Sequence, residues 1–189
     1  APDLGSGVVR RVGSSPISRT KNKLEAFKIL SWRLFNWLDM NKHQLCCIGH
    51  ITLDKVVTPQ NTVYMPGGTA FYCSHAIRHF NDIDYALVTA VGVTEMNVVE
   101  QLREMGIHVT ALPSKYSVYF ENIYGANPDD RTQRVLAKAD PFTAGQLKDI
   151  DAQIYHLGSL LADDFSLEVI KELSQKGLIA VDSQGYLRE

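Results

Sequence analysis

The sequence predicts an α/β domain built on a parallel sheet with helices on both faces, interrupted by two inserted β-hairpins. Three observations lead there. Short apolar runs recur at Leu45–Ile48, Tyr85–Val91, Ile154–Gly158 and Leu178–Val181, of the kind that forms strands buried on both faces. Segments with apolar residues at helical spacing lie between them, and that alternation implies repeated β-α-β units and parallel pairing. Twice the rhythm breaks into polar, strand-like pairs joined by turn formers, at Asp54–Tyr64 and at Val118–Ala137.

Each element follows from local chemistry. Leu45-Cys-Cys-Ile48 ends at Gly49 and reads as a central strand. Asp54–Val57 and Asn61–Tyr64 flank Thr58-Pro-Gln60 as a hairpin whose polar content suits a half-exposed sheet. Pro66-Gly67-Gly68 breaks the chain, and Thr69 to Phe80 is helical by the spacing of Ala70, Cys73, Ile77 and Phe80. After the Tyr85–Val91 strand, Thr94 is placed to cap a helix carrying Val98, Val99, Leu102 and Met105, which Gly106 stops in the left-handed position usual for glycine. Ile107–Leu112 is the next strand. Val118–Tyr124 and Thr132–Ala137 form the second hairpin around Gly125–Arg131, where Asp129-Asp130 reads as a solvated turn. Thr143 and Gln146 make a capping-box pair before Leu147 and Ile150, and Ser166 starts a helix that Gly177 closes before the last strand, Leu178–Asp182.

Charge divides the chain. Residues 1–39 carry seven Lys/Arg against three acids, while residues 40–189 carry 12 basic and 18 acidic side chains. The first twenty residues are Gly/Ser/Pro-rich without apolar periodicity, as expected of a disordered leader that cannot bury enough surface to offset ordering entropy. Leu24, Phe27, Leu30, Leu34 and Trp37 suggest a short amphipathic helix outside the native domain, which is expected to begin near Met40. A net charge of −2 gives no field to recruit nucleic acid or a membrane surface. Cys46, Cys47 and Cys73 are odd in number and sit in apolar surroundings, so free thiols and a reducing cytoplasm are expected.

Several fragments, in order, resemble the ribokinase-like (PfkB) carbohydrate kinases. They are Gly49-His-Ile-Thr-Leu-Asp54, the polar hairpin after it, Pro66-Gly67-Gly68-Thr69 opening a helix, Val91-Gly92, the second hairpin, and Val181-Asp-Ser-Gln-Gly-Tyr-Leu-Arg188. The resemblance covers residues 44–189 and implies a three-layer, Rossmann-like α/β/α domain. Lid strands at about 54–65 and 118–137 would cover it, and the C-terminal part of the sheet would be missing from this chain. It implies an ATP-dependent kinase that uses Mg2+ to phosphorylate a hydroxyl of a sugar, polyol or nucleoside. It further implies substrate contacts from Asp54, Gly67, Gly68, Thr69, Tyr72, Asp182, Gln184 and Arg188, and a homodimer formed through the lid.

The residues themselves are compatible with those roles. Asp54 follows the first strand at the C-terminal edge where open α/β sheets bind ligands, and an ionised carboxylate is an acceptor suited to hydroxyls. It can equally be a turn aspartate opening the hairpin. Gly67-Gly68 lacks side chains that would fend off a ligand and precedes a helix N-terminus, although a tight turn needs the same pair. Asp182 and Gln184 end the last strand on the same edge, and Arg188 can reach a phosphate or lie in solvent.

The chain departs from the family pattern twice. Tyr72 occupies the place where the family commonly carries a substrate-facing Asn, which leaves the substrate open. The Gly-Ala-Gly-Asp motif, whose Asp is the family's general base, is absent along with the elements for ATP. The chain as given is therefore expected to be the substrate-binding half of a kinase, inactive alone. A non-catalytic α/β polyol-binding or interaction module is the competing reading. No phosphate-binding P-loop pattern occurs. His75 and His79, four apart, lack an evident third metal ligand, and adjacent Cys46 and Cys47 point to opposite faces of a strand.

Overall fold

A computed structural model describes residues 42–188 other than Asn81 and Pro128, so the leader and its amphipathic helix lie outside the described residues. The strands are β1 (His43–Gly49), β2 (Thr52–Val57), β3 (Thr62–Gly67), β4 (Tyr85–Val91), β5 (His108–Pro113), β6 (Val118–Tyr124), β7 (Arg131–Ala137), β8 (Ala152–Gly158) and β9 (Leu178–Val181). The helices are α1 (Gly68–Ile77), α2 (Met96–Glu104), α3 (Ala144–Leu147) and α4 (Leu167–Lys176). They form an α/β fold with two sheets.

The larger sheet has the order β5-β4-β1-β8-β9 and is parallel throughout. Side-chain alternation splits its core. Cys46, Ile48, Val88, Tyr155 and Leu157 face α3 and α4 through Leu147, Val169 and Leu173. Cys47, Leu87 and Val91 face α1 and α2 through Ala70, Val99 and Leu102. Burying a leucine such as Leu87 or Leu102, both fully shielded, contributes about 1.5–3 kcal/mol. Tyr155 is the largest fully buried side chain, and its hydroxyl donates to Ile150 O and accepts from the Ala152 amide, both at 3.0 Å.

The smaller sheet, β3-β2-β6-β7, is made of the two inserted hairpins, joined by parallel pairing of β2 with β6. Its pairing places Asp54 beside Met65 and Phe120, and Val56 beside Asn122, on one face. Lys55 and Glu121 meet on the other face at 2.9 Å. A small cluster of Val118, Phe120, Leu160 and Leu161 packs beneath this lid.

Three boundaries differ from the sequence expectation. Thr94 does not cap α2. It lies in a 3-10 turn, Val93–Glu95, with its hydroxyl donating to Glu95 at 2.8 Å, and Glu95 is the residue that precedes the helix. The helix after Gly67-Gly68 ends at Ile77 rather than Phe80, because the chain turns there with the Phe80 amide on Ile77 O at 2.8 Å, and Phe80 is exposed. The strand expected at Ile107–Leu112 begins one residue later. Gly106 takes the left-handed conformation expected of it, with φ of 84°. The capping box at Thr143 and Gln146 forms, and the Ser166 hydroxyl accepts from the Val169 amide at 3.3 Å.

Candidate functional site

Between the parallel sheet's C-terminal edge and the lid lies a cleft of about 820 Å³. Its floor comes from α1 (Gly68, Thr69, Tyr72, Cys73), β8 (His156) and the loop after it (Leu160). Its roof comes from the inward face of the lid: Asp54 and Val56 of β2, Phe120 and Asn122 of β6, and Arg131 and Gln133 of β7. Gln184 and Arg188 close one side.

Asp54 is the carboxylate of the cleft. The Thr52 hydroxyl donates to its Oδ1 at 2.7 Å. Burial raises its pKa above the usual carboxylate value, against the opposing pull of that hydroxyl and of Arg188 and Arg131. Ionised, it keeps acceptor capacity beyond the one bond Thr52 occupies.

Gly67 and Gly68 are required by close approach. A Cβ on Gly67 would stand 2.6 Å from Asp54 Oδ2 and 2.9 Å from Thr52 Oγ1. One on Gly68, whose φ is 88°, would stand 2.5 Å from His50 O. Gly67 is thus a buried backing for Asp54, whereas Gly68 and Thr69 reach the cleft surface at the start of α1.

Asp182 does not line the cleft. Its Oδ2 accepts from the Thr69 hydroxyl at 3.1 Å and its Oδ1 from the Gln184 amide at 3.0 Å, so it ties α1 to the turn after β9. Arg188 lies 4.8 Å over the Phe120 ring and donates to Leu160 O at 2.6 Å. Burial and the nearby Arg131 lower its pKa, opposed by Asp182, Asp164 and Asp54. Tyr72 stands at the rim, 54% exposed, edge-on to Phe71.

The structure therefore brings Asp54, Gly68, Thr69, Tyr72, Gln184 and Arg188 to one cleft, with Gly67 and Asp182 behind them. Sequence reasoning missed Phe120, Asn122, Arg131 and Gln133. Their signal is the two-residue period of β6 and β7, which becomes readable once the two hairpins are known to pair. Gln133 Nε2 donates to Asn122 Oδ1 at 2.7 Å and fixes that amide against the roof. Sequence reasoning also missed Cys73 and His156. The Cys73 Sγ is 3.8 Å from His156 Nδ1. Cys47 behind it and His156 beside it hold the Cys73 thiol down to about 5, and His156 is pushed up by the same sulfur.

Beneath the cleft, Asp164 shapes the loop after β8. Its Oδ2 accepts from the amides of Leu160 at 2.7 Å and Leu161 at 2.9 Å. Its Oδ1 faces His50 Nε2 at 3.5 Å, while His50 Nδ1 donates to Ala90 O at 3.2 Å. Burial pushes the Asp164 pKa up, but His50 and the two amides outweigh it and hold the carboxyl below its ordinary value.

No family profile matches the chain, and no curated protein matches it. Solved structures do. A pyrophosphate-dependent kinase in the ribokinase family, determined as a sulfate complex, superposes with a TM-score of 0.67 at 26% identity, over 77% of this chain and 52% of that one. A pyrophosphate-dependent kinase of the same family complexed with a pyrophosphate analog and myo-inositol gives 0.65 at 25% identity, over 77% and 51%. A nucleoside kinase from Burkholderia thailandensis, in complex with inosine, gives 0.57 at 18% identity, over 73% and 51%. The chain spans about half the length of the solved structures it matches.

Proposed function

For a chain with the ribokinase-like fold, we propose that the cleft binds a small polyhydroxylated substrate and presents one of its hydroxyls for phosphoryl transfer. The substrate class is a sugar, a cyclitol or the ribose of a nucleoside. One observation carries this reading. Asp54 is half-buried on the inward face of the lid, oriented by Thr52 and uncrowded by any side chain at Gly67, and it lines the cleft with acceptor capacity beyond the Thr52 bond. Hydroxyl groups are donors that such a carboxylate can take in number. Asn122, Gln133 and Gln184 supply further polar partners, while Phe120 and Val56 supply apolar surface for the ring face.

The part these residues play is binding and orientation. Positioning a hydroxyl converts a bimolecular encounter into an oriented one, which is a large share of what a kinase does for its acceptor. ATP and Mg2+ fit less well. Mg2+ requires several oxygen ligands, and the cleft lining offers a single carboxylate, Asp54. We therefore assign the donor side, whether nucleotide or pyrophosphate, to the portion of such kinases that this chain does not span, and derive no step through it.

A lid-to-lid homodimer belongs to the same reading, because Val63, Tyr64, Val135 and Leu136 leave apolar surface exposed on the outer lid strands. Among the described residues no helix is long and apolar enough to cross a membrane.

Calorimetric titration with myo-inositol, hexoses, ribose and nucleosides tests the binding step. We expect one class to bind and the Asp54→Asn variant to lose it at least tenfold. Binding by none of them, or equal binding to the variant, overturns the reading. Coupled assays with ATP and with pyrophosphate on this chain should show no turnover, and turnover with either donor would overturn the assignment of the donor side to the portion not spanned.

A further inference from the structure

We propose that Cys47, Cys73 and His156 form a binding site for a thiophilic divalent metal ion of the zinc type, with three protein ligands and a fourth position open to the cleft.

The three donors come from three elements that the fold forces together. Cys47 in β1 and His156 in β8 are register partners in the parallel sheet, so their side chains leave the same face. That face is the one α1 covers, and Cys73 projects from α1 onto it. The three donor atoms all lie within 4.8 Å of one another, and Cys73 Sγ is 3.8 Å from His156 Nδ1. A tetrahedral zinc ion with bonds of about 2.3 Å to sulfur and about 2.0 Å to nitrogen separates such donors by roughly 3.6 Å. The Cys73–His156 pair is within a few tenths of an ångström of that spacing, and closing the widest pair needs a shift of at most about 1 Å, within reach of side-chain rotation. Cys46, next in sequence, belongs to the opposite core and takes no part.

The donor types choose the ion. Two sulfurs and an imidazole favour zinc and its soft neighbours over Mg2+ or Ca2+, which take oxygen. The outer shell is also present. The Tyr85 hydroxyl interacts electrostatically with both sulfurs, and the Ser74 hydroxyl stands 2.9 Å from it. Asp182 acts electrostatically on His156. Partners of this kind orient metal ligands and sustain their basicity.

Burial sets the character of the site. Cys47 is fully buried, whereas Cys73 and His156 line the cleft. Three ligands therefore close the ion from behind and leave one side facing the cleft, the arrangement of an ion that holds water or an exogenous ligand rather than of a closed structural site. The assignment concerns these side chains alone and does not depend on which substrate the cleft takes.

Cobalt reports the site directly. The protein is reduced, its three thiols are confirmed free by titrating an unfolded sample with a disulfide reagent, and Co2+ is added to the native protein in the absence of any sugar. We expect one equivalent to bind with sulfur-to-cobalt charge-transfer bands and the visible bands of a tetrahedral ion, and Zn2+ to displace it. Cys73→Ser should weaken binding at least tenfold and reduce the charge-transfer intensity, and His156→Gln should weaken it while leaving that intensity. Absence of the charge-transfer bands from the reduced native protein overturns the proposal, and that measurement depends on no variant folding. So do bands that persist unchanged in Cys73→Ser.

Discussion

Every residue of β4, Tyr85–Val91, is buried, whereas five of the seven residues of β7, Arg131–Ala137, are exposed. The parallel sheet is covered on both faces by helices and is specified by apolar packing. The lid has one face over the cleft and one toward solvent, and its side chains are chosen for what they present as much as for what they pack against. Each region holds one informative carboxylate. Asp164, beneath the cleft, is nearly shielded and its Oδ2 is committed to the amides of Leu160 and Leu161. Asp54, on the lid, is half-buried with one internal hydrogen bond and lines the cleft with acceptor capacity to spare. The difference teaches that a carboxylate saturated by the backbone stabilises, while one left partly unsatisfied under a lid is available to a ligand and carries a cost in the free protein.

Breaking Asp164 should produce the largest effect. Asp164→Ala leaves the amides of Leu160 and Leu161 without their acceptor and His50 without its facing charge. A loss of about 2–4 kcal/mol is expected, read from urea unfolding midpoints. Asp54→Asn should act in the opposite sense on stability, a change within about 0.5 kcal/mol toward greater stability, because it removes a charge that burial disfavours. The same substitution should weaken polyol binding by about 1.5–3 kcal/mol, which is roughly 10–150-fold in affinity.

Acidification should separate the two in a fixed order. The Asp54 pKa is raised, so ligand binding that needs its ionised form weakens as pH falls through a value above that of an ordinary aspartate. Its own stability contribution has the reverse sign: it is present below the unfolded-state pKa and lost as pH rises through the folded one. The Asp164 pKa is lowered, so its contribution to folding is present above the unfolded value and lost as pH falls through the lower folded one. Calorimetry and unfolding measured on one pH series should show binding failing while the fold persists. Loss of both at a single pH would show that the lid and the sheet do not titrate separately.

The sheet was legible because its signal is local. Apolar runs such as Tyr85–Val91 announce buried strands, and the helices between them fix the parallel order. Gly67 and Gly68 were legible as a chain break, whereas Asp54, expected at the end of the first strand, lies within the lid strand β2 and reaches the cleft from the roof. Phe120, Asn122, Arg131 and Gln133 were not, because their common face depends on β2 pairing with β6 across sixty-six residues, as in Asp54 with Phe120. The Cys47, Cys73 and His156 cluster was hidden for the same reason, since its members lie on two strands and a helix whose juxtaposition only the register supplies. Thr94 was misread because a cap preference identifies a residue type near a helix start, and Glu95 with its 3-10 turn took the position instead.

Tyr72 gives the smallest expected effect and the most specific one. It stands at the rim of the cleft on α1, is 54% exposed, and touches Phe71 edge-on, so little of the fold depends on it. Tyr72→Asn removes an aromatic wall and adds an amide that can donate to and accept from a hydroxyl at once. Unfolding should move by no more than about 0.5 kcal/mol, as for other exposed positions. If the ring packs on the apolar face of a substrate, the variant should bind nucleosides and other large ligands several-fold less tightly and small cyclitols or sugars as well or better, since one hydrogen bond contributes about 0.5–1.5 kcal/mol net. Calorimetry of the two proteins against the same set of ligands reads that ratio. A uniform loss across all of them would place Tyr72 in shaping α1 and remove it from substrate choice, leaving the lid residues Asn122 and Gln133 to set it.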